Sequence, residues 1–261
     1  MRILITGANG YVGKSLRDAL RGSHYVTVLT RNEADLTKAS KVKEFFDNSH
    51  FFDVVIHCAT AGATSPRSED WNIMDDNLKM YYNLLQNRKR YSRLIHFGSG
   101  AETYIPNTPY GYSKKVIAKS ILNQDNFYNI KIFGVFDENE LDTRFIKANI
   151  KRYINKEPIQ INKNMFMDFF YMQDLISVVK YYLEEKEPPK EFDSVYEEGS
   201  PLLTQLATMI NDLDEHKVKI LVGDPDGDSY TSKYRASLPI ELIGLEQGIK
   251  NVYNKLKNEA N

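Results

Sequence analysis

Two side chains four residues apart, Tyr110 and Lys114, are placed to do acid–base chemistry. The segment that begins at Pro109 has a helical pattern, and residues at i and i+4 share one face of a helix. An ammonium close to a phenol favours the phenolate and lowers the phenol's pKa, so Tyr110 is expected to act as an acid or base near neutral pH. Because the chain has 17 tyrosines, this spacing gains weight only from its surroundings, among them Ser99 at the end of a predicted strand.

A glycine-rich segment, Thr6–Gly13, has the composition of a phosphate-binding loop. Its glycines stand at positions 7, 10 and 13, between an apolar run and a helical pattern. Small residues let the backbone approach a pyrophosphate, and the helix that follows offers free N–H groups and the positive end of its dipole. The loop therefore predicts a dinucleotide cofactor.

The end of the second predicted strand indicates which dinucleotide is bound. NAD sites place an acid there, where it binds the ribose 2′-hydroxyl. Here the sequence reads Leu29-Thr30-Arg31-Asn32, and Arg31 could pair with a 2′-phosphate. This favours NADP(H) over NAD(H), with NAD(H) as the alternative because Glu33 is close by.

These residues need a scaffold, and apolar runs alternating with helical patterns provide one. Such alternation is typical of βαβ units and of a parallel sheet covered on both faces. We therefore predict an α/β fold: a Rossmann-type doubly wound parallel sheet with a small C-terminal α+β substrate lobe. The expected domains are a cofactor domain over 1–157 and a lobe over 158–261, interleaved around 174–185. Ile130–Phe136 is expected to form one strand.

Composition excludes several classes of protein. The chain has 261 residues with 34 basic and 35 acidic side chains, a net charge of −1, which argues against a nucleic-acid partner. One cysteine excludes an intrachain disulfide, and the five histidines have no metal-binding spacing, so no metal is expected. No apolar stretch approaches the roughly 20 residues that span a bilayer. We expect no membrane partner, no targeting segment and a cytoplasmic location.

Taken together, the motifs resemble the extended short-chain dehydrogenase/reductases, in the branch of nucleotide-sugar epimerases, dehydratases and reductases. The resemblance extends over nearly the whole chain, including Asp168–Leu175 and Leu245–Ile249 late in the sequence. It implies that Ser99, Tyr110 and Lys114 are catalytic. The cofactor residues that it implies, together with Arg31, are Gly7, Asn9, Gly10, Tyr11, Val12, Gly13, Asp35, Leu36, Cys58, Ala59, Thr60, Asn77, Tyr110, Lys114 and Phe133.

The chain departs from the family pattern in its substrate region. The loop between Ser99 and Tyr110 is short, and Thr103 is a second candidate for the catalytic hydroxyl. Met167 stands where many relatives have an arginine that holds the nucleotide phosphates, and Lys131 replaces another arginine. The substrate residues expected from the resemblance are Ser99, Gly100, Ala101, Arg144 and Lys147.

The resemblance implies hydride transfer between a nicotinamide and a sugar carbon. Gly100-Ala101 replaces the Asp-Glu pair of the dehydratases, which disfavours dehydration. Relatives that epimerise C3 and C5 use a cysteine and a histidine as acid–base groups, but the one cysteine here, Cys58, belongs to the cofactor strand, which disfavours that reaction. We expect an NADPH-dependent reductase of a nucleotide-linked 4-keto-6-deoxy sugar, in deoxysugar biosynthesis and acting as a homodimer. The alternatives are an NAD-dependent nucleotide-sugar 4-epimerase and a non-catalytic NADP-binding protein.

Overall fold

The computed structural model describes residues 1–62 and 70–260. The chain forms two compact units: the first comprises Met1–Lys131 and Lys180–Phe192, and the second Ile132–Val179 and Asp193–Asn261. The chain thus leaves the first unit after Lys131 and returns to it once. The domain division expected from the sequence, 1–157 and 158–261, stays a prediction.

The first unit is built around a six-stranded sheet of order β2-β1-β3-β4-β5-β9. The strands are β1 (Arg2–Thr6), β2 (Tyr25–Leu29), β3 (Phe52–His57), β4 (Tyr91–Ser99), β5 (Phe127–Ile132) and β9 (Glu191–Ser194). The helices are α1 (Tyr11–Leu20), α2 (Ala39–Asp47), α3 (Asn72–Gln86), α4 (Ala101–Tyr104) and α5 (Pro109–Ile121). The last strand, β9, ends in the second unit.

The strand order carries the topological switch of a doubly wound sheet. The pairs β1–β2, β1–β3 and β3–β4 are parallel, as the sequence predicts. The chain leaves β1 toward β2 on one side and returns to β3 on the other, which creates the crevice where such sheets bind ligands. Within the described residues β2 is the edge strand of the sheet, so the strand that lies outside it in the order 3-2-1-4-5-6 is absent here.

Local sequence accounts for the two elements that matter most to the site. Ile3, Leu4 and Ile5 of β1 are fully buried, as expected of a central parallel strand covered on both faces. Helix α5 begins at Pro109, whose fixed φ suits the first helical position. The preceding Thr108 caps it, its side chain accepting a 3.2 Å hydrogen bond from the Gly111 N–H.

The second unit has its own core and two small sheets, β7–β10 and β6–β8, both parallel. Its core includes Phe136, Ile146, Tyr153, Leu206 and Val252. The remaining elements are β6 (Gly134–Phe136), α6 (Phe145–Ile154), β7 (Ile159–Lys163), β8 (Phe169–Tyr171), α7 (Met172–Glu184), α8 (Leu203–Asn211), β10 (Ile220–Asp224) and α9 (Leu245–Ala260). Helix α7 ends in the first unit.

One strand prediction is wrong. The run Ile130–Phe136 is not a single strand, because β5 ends at Ile132 and β6 begins at Gly134. The two pieces belong to different sheets, with β6 pairing to β8 through Gly134 and Phe169. Periodicity could not reveal this break, since the run is continuously apolar apart from Lys131 and Gly134. Separately, none of the described helices is both long and apolar enough to cross a membrane.

Candidate active site

The glycine loop is shaped to admit an anionic group. Gly7 has a φ of +64°, and a Cβ there would lie 2.6 Å from the backbone nitrogen of Ala59 at the end of β3. Only glycine fits this turn and this approach. Gly10 is the N-cap of α1, with no side-chain cap, and the first turn of α1 has no acidic residue. The helix dipole therefore faces the loop uncompensated, as a pyrophosphate-binding site requires.

Hydrogen bonds connect the end of β1, just before this loop, to the end of β3. The Thr6 hydroxyl lies 2.8 Å from Nδ1 of His57 and accepts a 3.3 Å hydrogen bond from the Ala59 N–H. His57 is buried, which lowers its pKa to about 3 and keeps the ring neutral. Burial likewise raises the pKa of the Cys58 thiol. Neither side chain is therefore suited to acid–base catalysis near neutral pH.

Asn77 connects the end of β3 to the catalytic helix. Its side-chain oxygen accepts a 2.8 Å hydrogen bond from the Ala61 N–H, and its amide donates to the Ser113 hydroxyl at 3.0 Å. Ser113 in turn donates to the backbone oxygen of Tyr110 at 2.7 Å. The asparagine expected at the cofactor thus orients the first turn of α5, while Thr60 contacts it at 3.3 Å.

The predicted pair Tyr110 and Lys114 is buried in the first unit. The Lys114 ammonium donates a 2.7 Å hydrogen bond to the carbonyl of Phe97 in β4 and lies 5.8 Å from the centre of the Tyr110 ring. Lys114 as a whole is only 4% exposed. Burial lowers the pKa of Lys114 to about 8, against the opposing effect of Glu102. The ammonium is thus a cation at neutral pH that can lose its proton slightly above it.

Ser99 ends β4, two residues after the carbonyl that binds Lys114. Its hydroxyl accepts a 3.2 Å hydrogen bond from the Ala101 N–H, and it is buried together with Gly100 and Ala101. Helix α4 follows directly and packs against α5, where a Cβ on Gly111 would lie 2.7 Å from the Ala101 oxygen. This packing brings the Ser99 turn to the helix that carries Tyr110. Thr103, the second candidate hydroxyl, is exposed.

Sequence reasoning missed Glu102, which lies in this buried turn. Its carboxylate accepts a 3.0 Å hydrogen bond from the Ser99 N–H and lies 3.7 Å from the Lys131 ammonium. Burial raises the pKa of Glu102 to about 7, although Lys131 opposes that rise. No spacing motif points to this residue; the one available signal was an acidic side chain directly after the strand that ends in Ser99.

The residues that follow β2 form hydrogen bonds to two carboxylates, those of Glu33 and Asp35. Glu33 accepts hydrogen bonds from the Thr30 N–H at 2.8 Å and from its hydroxyl at 2.5 Å, and these bonds lower the pKa of Glu33. Asp35 accepts from the Thr37 N–H at 2.9 Å. Arg31 is exposed, and its positive charge acts on the Asp35 carboxylate. An acid therefore does stand at the end of β2, contributed by Glu33.

Three predicted site residues belong to the second unit. The Phe133 ring contacts Tyr230 at 5.4 Å between ring centres. Arg144 is the exposed N-cap of α6. The Lys147 ammonium is 2.8 Å from an Asp142 carboxylate oxygen and donates to the Glu140 carbonyl at 2.8 Å. Lys147 is therefore already engaged by its neighbours, whereas Arg144 is not held in this way.

The chain resembles known proteins in sequence. The sequence profile described as the NAD dependent epimerase/dehydratase family matches residues 3–195. The chain is 23% identical over 247 residues to the CDP-abequose synthase of Yersinia pseudotuberculosis, covering 84% of this chain and 87% of that protein.

Solved structures show the same fold. A GDP-mannoheptose C4 reductase of Campylobacter jejuni with NADP bound matches with a TM-score of 0.79 and 16% identity over 98% of each chain. The UDP-glucose 4-epimerase of Thermotoga maritima with UDP-glucose matches with a TM-score of 0.78 and 16% identity over 100% of both chains. At such identities the structural likeness supports the fold and not a particular substrate.

Proposed function

Because the chain belongs to the NAD dependent epimerase/dehydratase family, whose members are NAD(P)-dependent extended short-chain dehydrogenase/reductases, we propose that it is an NADPH-dependent reductase of a nucleotide-linked 4-keto-6-deoxy sugar. One observation carries the proposal: the buried Lys114 ammonium lies 5.8 Å from the Tyr110 ring, on the helix that packs against the turn after Ser99. Such a set has the parts needed to protonate an oxygen next to a hydride acceptor.

Each residue of the set has a separate role in the proposed reaction. When NADPH is bound, the hydride for the C4 carbonyl carbon of the sugar would come from its nicotinamide. Tyr110 donates its phenolic proton to the oxygen at C4, and the Ser99 hydroxyl donates a hydrogen bond to the same oxygen. Lys114 stabilises the phenolate that Tyr110 leaves behind, since a cation close to a phenolate favours the charged form. The N–H groups at the start of α1 bind the cofactor pyrophosphate.

The decisive experiment assays NADPH oxidation against a panel of nucleotide 4-keto-6-deoxy sugars, with Tyr110→Phe beside the unaltered protein. We expect kcat to fall about 10²- to 10⁴-fold, the usual contribution of a positioned proton donor, while NADPH binding is retained. Tyr112→Phe is the matched control, because Tyr112 lies on the same helix but is 45% exposed. Full activity in Tyr110→Phe would instead favour a non-catalytic NADP-binding protein.

Within this proposal, Arg31 gives the preference for NADP(H) by pairing with a 2′-phosphate. Its side chain is exposed and therefore accessible to a ligand. Calorimetry should show that Arg31→Ala weakens NADPH binding about tenfold and leaves NADH binding unchanged. Equal loss for both cofactors would contradict the assignment.

A second function, an NAD-dependent nucleotide-sugar 4-epimerase, is favoured by one observation. The Glu33 carboxylate is bonded to Thr30 at the end of β2, where an acid binds the ribose 2′-hydroxyl of NAD. Product analysis separates the two functions: an epimerase interconverts C4 epimers without net NADPH consumption. In that case Glu33→Gln should weaken NADH binding and Arg31→Ala should not.

The proposal includes a homodimer and a cytoplasmic location. Tyr82 on α3 and Tyr112 on α5 are 56% and 45% exposed, so each presents an aromatic ring that a second copy of the chain could cover. Light scattering is expected to give twice the mass of one chain. The cytoplasmic location stays an expectation from the sequence.

A further inference from the structure

Glu102 is a buried acid whose position the proposed reaction does not explain. It lies on α4, directly after the turn that carries Ser99, and is 8% exposed. A carboxyl group buried this deeply is costly unless its charge has a partner. Its surroundings therefore indicate what it does.

The backbone leaves a cavity for this carboxyl group. A Cβ at Gly98 would collide with Oε1 of Glu102 and would lie 2.6 Å from Oδ1 of Asn129. Glycine at position 98 thus makes room for both polar groups between β4 and β5. Oδ1 of Asn129 is itself buried and without a hydrogen-bond partner in the described structure.

Two cations act on Glu102, one of them in direct contact. The Lys131 ammonium from β5 lies 3.7 Å from Oε2 of Glu102 and 3.3 Å from Oε1 of Glu191 in β9. Lys131 is thus close to two carboxylates. The Glu191 side chain is 33% exposed, whereas the Glu102 side chain is buried. The second cation is Lys114 of α5, whose charge acts on Glu102 at longer range.

Lys114 needs a nearby negative charge. Its ammonium is buried and donates a hydrogen bond to the Phe97 carbonyl, which is neutral. Besides Tyr110, the neighbouring titratable groups are His57, His96 and Cys58, and burial keeps these last three in their neutral forms near pH 7. Among the described residues that act electrostatically on Lys114, Glu102 is the carboxylate.

We propose that Glu102 is a positioning residue for the catalytic set: its carboxylate fixes the backbone of Ser99 and supplies the buried negative charge that keeps Lys114 cationic. This inference rests on the function proposed above, because it assigns a partner to the same three residues. It goes beyond that function by linking β4, α4 and α5 into one charged unit with Lys131. The Lys131 ammonium forms an ion pair with the Glu102 carboxylate and a second one with the Glu191 carboxylate.

The test measures the charge of Lys114 directly, without a substrate. In protein labelled with [¹³C]lysine, the Lys114 side-chain signal is assigned from its loss in Lys114→Arg and followed by NMR against pH. Glu102→Gln keeps the acceptor for the Ser99 N–H but removes the charge. We expect the midpoint of Lys114, about 8 in the unaltered protein, to fall by about one pH unit in this variant.

Two further variants make the result specific. Glu191→Gln removes the same charge from the other acid that pairs with Lys131, and should leave the Lys114 midpoint unchanged. Glu102→Asp restores the charge on a shorter side chain and should bring the midpoint back toward that of the unaltered protein. If Glu102→Gln does not fold, Glu102→Leu, which also removes the charge, takes its place. An unmoved midpoint in Glu102→Gln, or an equal shift in Glu191→Gln, would overturn the inference.

An activity profile then separates this inference from the proposed function. If the chain reduces a nucleotide sugar, the alkaline limit of kcat should move to lower pH in Glu102→Gln by the amount seen for Lys114. If no sugar is reduced, the proposed function fails while the NMR titration still decides the role of Glu102.

Discussion

Each unit contains a buried carboxylate beside a basic side chain, and the two clusters differ in how well they are compensated. In the second unit, Asp168 accepts hydrogen bonds from Arg235 at 2.8 and 3.0 Å, from the Ser200 hydroxyl at 2.8 Å and from the Ser232 N–H at 2.6 Å. In the first unit, Glu102 has one backbone donor at 3.0 Å, a side-chain hydrogen bond with Asn129 and a more distant ammonium at 3.7 Å.

Buried polar groups near Glu102 and near Lys114 also lack hydrogen-bond partners. Both ring nitrogens of His96 and the side-chain oxygen of Asn129 are buried without partners in the described structure. Burial lowers the pKa of Lys114 to about 8 and raises that of Glu102 to about 7, so both can change charge near neutral pH. A fully bonded pair such as Asp168 and Arg235 holds loops together, whereas a poorly compensated group is ready to exchange protons.

The largest expected effect is on the well-compensated cluster. Asp168→Asn removes the charge that Arg235 pairs with, and breaking a buried ion pair leaves the other charge uncompensated. Urea unfolding at pH 7 should show a loss of about 3 kcal/mol. Ser200→Ala, which removes one neutral donor from the same carboxylate, should cost about 1 kcal/mol. A loss below that of Ser200→Ala would contradict the contrast between the clusters.

The same kind of substitution in the first unit should behave differently. The pKa of Glu102 is about 7 in the folded protein and 4.5 ordinarily, so between these values the folded chain binds a proton that the unfolded chain has lost. Wild-type stability relative to Glu102→Gln therefore falls as pH rises from about 4.5 to 7 and is constant above that range.

Relative to wild type, Glu102→Gln should become more stable by about 3 kcal/mol between these two pH values, measured by urea unfolding at several pH values. Glu191→Gln, on the more exposed partner of Lys131, serves as the control and should show little pH dependence. A constant difference between Glu102→Gln and wild type would mean that Glu102 is not destabilised by burial.

The smallest effect is expected at a surface pair. On α9, Lys250 and Glu246 are 2.6 Å apart, with side chains 48% and 69% exposed. Exposed pairs of this kind contribute little, because water and salt screen them. Lys250→Met should change the free energy of unfolding by less than about 0.5 kcal/mol, and a larger loss would show that exposure is a poor guide to these clusters.

Much of the first unit could be predicted because its signals are local. The glycine loop, the parallel strands and the helix that begins at Pro109 each depend on neighbouring residues. The break between β5 and β6 could not be predicted, because it depends on β8, which pairs with Gly134 from far along the chain. The Glu33 carboxylate was placed near the strand end by sequence but was not expected to bond to Thr30.

By itself, the sequence determined the α/β class, the loop for a dinucleotide and the pairing of Tyr110 with Lys114, since helical spacing and glycine chemistry act over a few residues. Only the tertiary structure decided which charges are buried together. Asp168 and Arg235 are 67 residues apart, and Glu102 meets Lys131 only because β4 and β5 are neighbours in the sheet. The energy of such pairs depends on burial, which the packing of distant elements creates.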